Sequence, residues 1–150
     1  MQPIHIACGQ FEATPGGKEA NLDAMERLTA EAAGRGCRLV LFPEMALTGY
    51  LSPDRMPALA EPAEGAAGER LASTARTNRI ALAYGFPELL PDGVSRANTF
   101  LVFGPDGGEI GRYRKVHLWD TEAAWCEPGT EVPLFDYEGV SMSGWICYDT

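Results

Sequence analysis

Residues 38–44, which read RLVLFPE, decide the fold of this chain. The uninterrupted apolar run up to Phe42 is typical of a short strand that is covered on both faces. Pro43 ends the strand because proline cannot donate to a β-ladder. Glu44 follows at once, so its carboxylate is held at a strand end. The stretch predicts a buried strand of an α/β protein, with an acidic side chain at its end.

The residues before this strand complete a strand–helix–strand unit. Residues 4–11 begin with alternating apolar positions and predict a first strand that ends near Phe11. Residues 21–33 place apolar side chains at three- and four-residue spacing, which predicts an amphipathic helix. Gly34 and Gly36 supply its stop signal.

A second helix-to-strand passage follows a long loop. Residues 44–65 are rich in Pro, Gly and Ala, and a loop of this length is more often functional than a passive connection. Residues 69–79 predict a second helix, and residues 80–84 predict the apolar strand after it.

The remaining chain predicts two tight connections between strands. Residues 97–103 and 109–114 form a hairpin around the PDGG turn at 105–108. Another tight connection at 137–140 leads into a last strand over 141–146. Without an internal repeat, low-complexity tract or linker, the sequence predicts one α/β unit rather than two domains.

Composition excludes several classes of partner. The chain has 150 residues, 45% of them hydrophobic, and a net charge of −9. That charge repels phosphate backbones and anionic lipids, so we expect neither a nucleic acid nor a membrane as partner. No apolar run approaches the roughly 18 residues of a membrane span, and residues 1–5 lack the features of a secretory signal. We therefore expect a cytoplasmic protein that binds a small molecule or another protein.

Each of the four cysteines must be judged by its surroundings, because no C-x-x-C pair indicates a disulfide framework or a zinc knuckle. Cys147 follows the last predicted strand, where α/β proteins place reacting groups, although many free cysteines are inert and buried. We expect Cys8 and Cys37 to be packing residues. Cys126 lies in a predicted loop and could be exposed.

Two charged residues are candidates for chemistry beside this thiol. Glu44 becomes a suitable general base if an apolar pocket raises its pKa, but it could also be an ordinary surface charge. Lys115 lies at the end of the hairpin strand, within RYRKVHLW at 112–119. Such a basic cluster either forms a solvated sheet edge or directs an ammonium into a cleft.

Three blocks of sequence carry a resemblance that joins these candidates. LFPEMALTGY at 41–50, GRYRKVHL at 111–118 and GWICYD at 144–149 resemble, in this order, the signature blocks of the carbon–nitrogen hydrolase (nitrilase) superfamily. The resemblance spans essentially the whole sequence and includes ANT at 97–99 and PG at 128–129.

The resemblance implies a Glu-Lys-Cys catalytic triad made of Glu44, Lys115 and Cys147. It also implies that the backbone N–H of Tyr148 helps to bind an oxyanion. Glu122 stands where the family often has a further acid, so it either orients the lysine or is a surface loop charge. The implied chemistry needs no metal or organic cofactor.

The family fold is a four-layer α-β-β-α sandwich nearly twice as long as this chain. The resemblance therefore implies that residues 1–150 are the N-terminal, incomplete portion of the domain, apparently truncated after the nucleophile strand. We expect the 150-residue chain alone to be unstable or aggregated and inactive. The intact protein is expected to be a homo-oligomer, as its relatives usually are.

The implied activity is hydrolysis of a small amide or N-carbamoyl compound through a thioester on Cys147. The Cys-Tyr-Asp sequence at 147–149 resembles the amidase-type branches more than the true nitrilases, which remain an alternative. A catalytically inactive fragment is a second alternative. A papain-like thiol hydrolase would need His117 as its base, and we expect that histidine to be a core or supporting residue. Only two histidines occur, which argues against a metal hydrolase.

Overall fold

A computed structural model describes residues 3–150 and has a five-stranded mixed sheet at its centre. The strands lie in chain order across the sheet. The first three are parallel, and the last two are added antiparallel as a hairpin. Their bounds are β1 (Ile6–Cys8), β2 (Leu39–Leu41), β3 (Ala81–Leu89), β4 (Arg96–Phe103) and β5 (Glu109–Arg114).

Two helices, α1 (Lys18–Gly34) and α2 (Ala66–Asn78), cover one face of this sheet. Their apolar stripes meet the side chains that alternate onto that face of β3 and β4, because successive residues of a strand point to opposite faces. The resulting core is the larger one in the described chain and includes Leu22, Met25, Leu71, Ala75, Leu82, Tyr84, Phe86, Leu101 and Phe103.

A short hairpin of β6 (Phe135–Tyr137) and β7 (Val140–Met142) packs on the opposite face. Its apolar side chains contact Leu39, Ala81, Ala83 and Val102 of the sheet. The Tyr137 hydroxyl also donates a 2.7 Å hydrogen bond to the carbonyl of Arg38. The chain is thus an α/β unit with helices, sheet and hairpin as successive layers, as the sequence predicted for its class.

The last predicted strand, residues 141–146, is wrong over most of its length. The ladder ends at Met142, and residues 143–146 pair with no strand within the described chain. A β-strand needs a neighbour for its backbone groups, and residues 143–146 have none here. The chain instead closes into a 3-10 turn at Cys147–Asp149.

The first strand and both helices also differ from the prediction at their ends. β1 covers residues 6–8 rather than 4–11, because only those residues pair with β2. α1 begins at Lys18 rather than Asn21. The buried Asn21 side chain binds two neighbouring loops, because its amide donates 3.0 Å hydrogen bonds to the carbonyls of Thr14 and Leu47. α2 begins at Ala66 rather than at residue 69.

β3 runs to Leu89 rather than to Tyr84, because it pairs with β4 from Leu82 through Leu89. β5 is antiparallel to β4, which is itself antiparallel to β3. The strands β1, β2, β3 and β5 therefore all run in one direction. Their carboxyl ends meet at one edge of the sheet, and the candidate site lies there.

Candidate active site

Glu44 reaches this edge because the chain turns sharply just after β2. The turn passes directly over Gly85 of β3, where a Cβ atom would lie 2.7 Å from the Met45 nitrogen and 2.8 Å from the Glu44 Cα. Met45 has a positive φ of 54°, which is uncommon for a residue other than glycine. The Leu47 N–H then donates a 3.2 Å hydrogen bond to the Gly85 carbonyl. Because Gly85 has no side chain, the turn can lie directly against β3, and this contact sets the position of Glu44.

Lys115 follows β5 directly, and its side chain is only 1% exposed. Its Nζ lies 2.9 Å from Glu44 Oε1 and 2.8 Å from Glu122 Oε2. Burial alone would lower the pKa of Lys115, but the hydrogen bonds to Glu122 and Glu44 outweigh it and raise that pKa above its ordinary value. Lys115 is therefore a permanent ammonium at neutral pH.

Glu122 is buried and is not the surface loop charge that the sequence left open. It lies in a 3-10 turn, Asp120–Ala124, and its Oε2 also accepts a 2.6 Å hydrogen bond from the Trp119 backbone N–H. Its neighbour Glu127, in contrast, bonds the exposed Ser95 hydroxyl. Glu122 Oε2 thus contacts both the Lys115 ammonium and the Trp119 backbone N–H.

Asn98 of β4 is a site residue whose part the sequence did not reveal. The fully buried side chain donates from one amide nitrogen to Glu44 Oε1 at 2.7 Å and to Glu122 Oε1 at 2.8 Å. These bonds offset the repulsion between two carboxylates that share one ammonium. The available signal was an amide side chain within a predicted strand, in the ANT triplet, but this signal gives no partner.

Cys147 is exposed and opens into the same cleft. It is the first residue of the 3-10 turn and has a positive φ of 46°, so its backbone is strained in the way found at many functional sites. A pocket of about 170 Å³ is lined by this thiol together with Lys115 and Glu122. The three elements that carry Glu44, Lys115 and Cys147 therefore converge.

Aromatic side chains form the wall of this pocket. Tyr50, Trp119 and Trp125 line it beside Leu51 and Pro53. Partial desolvation and the neighbouring Glu44 carboxylate raise the pKa of Tyr50, so its hydroxyl stays protonated. Trp119 also meets the Tyr148 ring edge to face, with 4.6 Å between ring centroids. The pocket thus combines an apolar wall with one cationic and two anionic groups.

Asp149 connects the turn that contains Cys147 to the segment around Lys115. Its side chain is fully buried, and its Oδ2 accepts hydrogen bonds from the Tyr113 hydroxyl at 2.7 Å and the Ile146 N–H at 3.1 Å. Its Oδ1 accepts a 2.8 Å bond from the His117 N–H. Burial alone would raise the pKa of Asp149, but these bonds hold it below its ordinary value.

Of the two roles expected for His117, core or supporting, the structure excludes the core and fits a supporting contact with Asp149. Its side chain is 63% exposed, and its Nδ1 lies 3.1 Å from Asp149 Oδ1. It is not among the residues that line the Cys147 pocket. The position gives no support to a cysteine–histidine hydrolase.

The other cysteines differ partly from expectation. Cys8 is exposed rather than packed, because β1 lies at the sheet edge. Cys126 is buried rather than exposed, and its Sγ donates a 3.5 Å hydrogen bond to the carbonyl of Glu122. Burial, followed by the nearby Glu122 charge, raises the pKa of Cys126 to about 12. Cys37 is half-buried against the helical core, as predicted.

Comparison with known proteins identifies the family. Residues 5–150 match the model of the carbon–nitrogen hydrolase family, so the chain belongs to that family. Among curated relatives, a probable nitrilase from Schizosaccharomyces pombe is 29% identical and an omega-amidase from Xenopus tropicalis is 32% identical. The matches cover 97% and 99% of this chain but 55% and 56% of those proteins. The chain therefore spans about half the length of these relatives.

Solved structures confirm the nitrilase-type fold. An amidase from Nesterenkonia sp. superposes with a TM-score of 0.86 at 33% identity, over 97% of this chain and 56% of that one. A variant of the amidase from Nesterenkonia sp. AN1 carries acrylamide added to its active-site cysteine. A further variant of it was solved in complex with butyramide.

Within residues 3–150, neither helix is both long and apolar enough to cross a membrane. No cluster of three or more His, Cys, Asp and Glu side chains suited to a metal ion occurs in that range.

Proposed function

We propose that this chain carries the catalytic residues of an amidase, with Cys147 as nucleophile, Glu44 as general base and acid, and Lys115 as electrostatic stabiliser. The observation that carries the proposal is the buried contact of Lys115 with Glu44 and Glu122 beside the pocket that holds the Cys147 thiol. A cysteine hydrolase needs a base for the thiol and a cation for the developing oxyanion, and the proposal assigns these roles to Glu44 and Lys115.

In the first half of the reaction, Glu44 accepts the Cys147 thiol proton while Sγ attacks the amide carbon. The carbonyl oxygen becomes an oxyanion, which the Lys115 ammonium and the backbone N–H of Tyr148 stabilise. Glu44 then gives its proton to the amide nitrogen, the C–N bond breaks and ammonia leaves. The product bound to Cys147 is a thioester.

In the second half, Glu44 removes a proton from water, and the resulting hydroxide attacks the thioester carbon. The C–S bond breaks, the carboxylic acid is released, and the proton returns to the Cys147 sulfur. Glu122 and Asn98 do not react in this scheme. They keep the Lys115 ammonium and the Glu44 carboxylate in the geometry that both halves require.

The proposed substrate is a small amide or N-carbamoyl compound. The pocket of about 170 Å³ suits a small group, and the related amidase was solved with butyramide. A nitrile is the second candidate, because a probable nitrilase is among the relatives. An attack by Cys147 on a nitrile carbon would use the same residues.

The test is substitution of the nucleophile with a thiol control. Cys147→Ala should abolish ammonia release, and Cys147→Ser should leave very little, because a hydroxyl is a much weaker nucleophile near neutral pH. Cys8→Ala is the matched control and should retain activity, since Cys8 is exposed on the edge strand. Full kcat in Cys147→Ala would disprove the assignment.

The assay should compare an aliphatic amide, an ω-amide, an N-carbamoyl amino acid and a nitrile. It should use both the 150-residue chain and the longest protein product of its gene, because the chain spans about half the length of its relatives. In the longer product, we expect activity on one of the first three classes of substrate, which are the amides and the N-carbamoyl compound. Selective turnover of the nitrile would replace the amidase proposal with the nitrilase alternative.

A further inference from the structure

Asp149 is the only described residue whose side chain hydrogen-bonds both the turn around Cys147 and the segment around Lys115 at the end of β5. On the turn, it accepts a hydrogen bond from the Ile146 N–H, one residue before Cys147. On the lysine side, it accepts bonds from Tyr113, two residues before Lys115, and from the backbone of His117, two residues after it.

We propose that Asp149 is a positioning residue that holds Cys147 against Lys115 and its carboxylate partners. The inference rests on the proposed function and adds a residue to it. Its physical basis is that one carboxylate bonds the Ile146 N–H on the turn and also the Tyr113 hydroxyl and the His117 N–H on either side of Lys115. These bonds fix the turn relative to the lysine.

The geometry makes this role specific to a charged carboxylate. Its two oxygens accept bonds from the Tyr113 hydroxyl, two backbone N–H groups and the His117 ring, and the side chain has no exposed surface. Tyr113 extends the network, because its hydroxyl also accepts a 3.1 Å bond from the Val116 N–H. Charge-assisted bonds of this kind are shorter and stronger than neutral ones. An amide at this position would satisfy only part of the set.

The strained backbone of Cys147 needs stabilising contacts, and the Asp149 carboxylate supplies one beside it. A residue other than glycine with φ of 46° persists only where its surroundings over-determine it. The bond to Ile146 fixes the residue on one side of Cys147, and Asp149 itself lies two residues beyond on the other. Loss of the carboxylate should let the turn relax and move the thiol away from Glu44.

The experiment is Asp149→Asn, with the alkylation rate of each thiol by iodoacetamide measured by mass spectrometry. The exposed Cys8 is the internal reference, and the buried Cys126 reports loss of the fold. We expect the Cys147 rate, relative to Cys8, to fall about tenfold while Cys126 stays protected. Removing a negative charge near the thiol would by itself favour the thiolate and raise the rate. A fall therefore reports lost positioning, and an unchanged or faster rate would overturn the proposal.

A matched control is Asp136→Asn, the same substitution at an exposed position of β6, which should leave the rates unchanged. If Asp149→Asn exposes Cys126, Tyr113→Phe provides the second test because it removes a single bond to the carboxylate. A Cys147 rate in Tyr113→Phe equal to the wild-type rate would then refute the positioning role.

Turnover separates this proposal from the proposed function. In the active protein, Asp149→Asn should lower kcat about tenfold and leave KM within about twofold, because the reacting group moves while the pocket wall stays. If the wild-type protein cleaves no amide but the alkylation result holds, the hydrolase proposal fails and the positioning role stands. If amides are cleaved and both variants match the wild type, the positioning role alone fails.

Discussion

Among single residues, the candidate site depends on the buried Lys115 ammonium, which contacts the carboxylates of both Glu44 and Glu122. Two unit charges at 4 Å interact by about 4 kcal/mol at an effective dielectric constant of 20, and water does not screen a side chain as buried as Lys115. Removal of one partner from such a buried pair typically costs about 3–5 kcal/mol. Lys115 therefore stabilises the site whether or not a substrate is bound.

Sequence reasoning proposed Glu44, Lys115 and Cys147 because each lies in a block that resembles a signature of the family. Asn98 and Asp149 were not predicted in their roles, since each acts through hydrogen bonds to residues distant along the chain. Asn98 bonds Glu44 across 54 positions, and Asp149 bonds Tyr113 across 36. Local sequence patterns carry no information about such pairs until the sheet brings them together.

The buried carboxylate of Glu88 in β3 joins three strands, because it accepts hydrogen bonds from Thr99 of β4 and from Arg112 and Arg114 of β5. Burial alone would raise the pKa of Glu88, but the bonds and charges of Arg114, Thr99 and Arg112 hold it below its ordinary value. A lowered pKa stabilises the fold above the unfolded value of about 4.3, and this contribution is lost as the pH falls through the folded value.

We therefore expect Glu88→Gln to lower the free energy of unfolding by about 2–4 kcal/mol at pH 7, since Arg112 and Arg114 lose a charged partner. The difference from the wild type should stay constant down to about pH 5 and shrink below about pH 4. Urea denaturation at several pH values measures it. Glu12→Gln, at an exposed position, is the control. A difference that grew on acidification would contradict the explanation.

At the scale of elements, the order of helices and strands followed from apolar periodicity, while their ends did not. β3 extends through Gly85, Pro87 and Glu88, residues with low intrinsic preference for strands, because β4 pairs with it along that length. Residues 141–146 had a suitable strand pattern, but beyond Met142 they pair with no strand among residues 3–150. Pairing between distant segments, which no local pattern encodes, therefore decided both boundaries.

Gly85 of β3 lies directly against the turn that carries Glu44. Gly85→Ala would place a methyl group within 3 Å of three backbone atoms, those of Pro43, Glu44 and Met45. We expect the turn to shift, with a stability loss of about 1–3 kcal/mol and a fall in kcat of at least tenfold in the active protein. Chemical denaturation and ammonia release measure the two effects.

Gly34→Ala is the matched control. Gly34 ends α1, and a Cβ there would meet nothing within 4 Å. Removal of backbone freedom at such a site leaves stability unchanged or raises it by up to about 1 kcal/mol. If Gly85→Ala were as harmless as Gly34→Ala, the close approach would not be what positions Glu44.

At the scale of the whole molecule, composition indicated enough apolar residues for a core but not which faces they would leave uncovered. The helical face of the sheet is covered, whereas the opposite face is covered only where β6 and β7 pack. Beside this hairpin lies an apolar groove of about 370 Å³, lined by Pro3, Ile4, Ile6, Leu39, Tyr137, Val140 and Met142. Ile6 of the edge strand β1 is 52% exposed there, and Leu41 of the neighbouring strand β2 is 37% exposed.

Exposed apolar surface of this extent favours association, so we expect the 150-residue chain to elute from size-exclusion chromatography as more than one copy. Ile6→Lys should shift the elution toward the 16.2 kDa monomer, because it places a charge on the groove wall and on the edge strand. Val94→Lys is the control, since Val94 is exposed in the connection between β3 and β4. If burial of apolar area in the groove drives association, the associated fraction should rise with protein concentration. A wild-type chain that elutes as a monomer at every concentration would therefore show that the groove does not drive association.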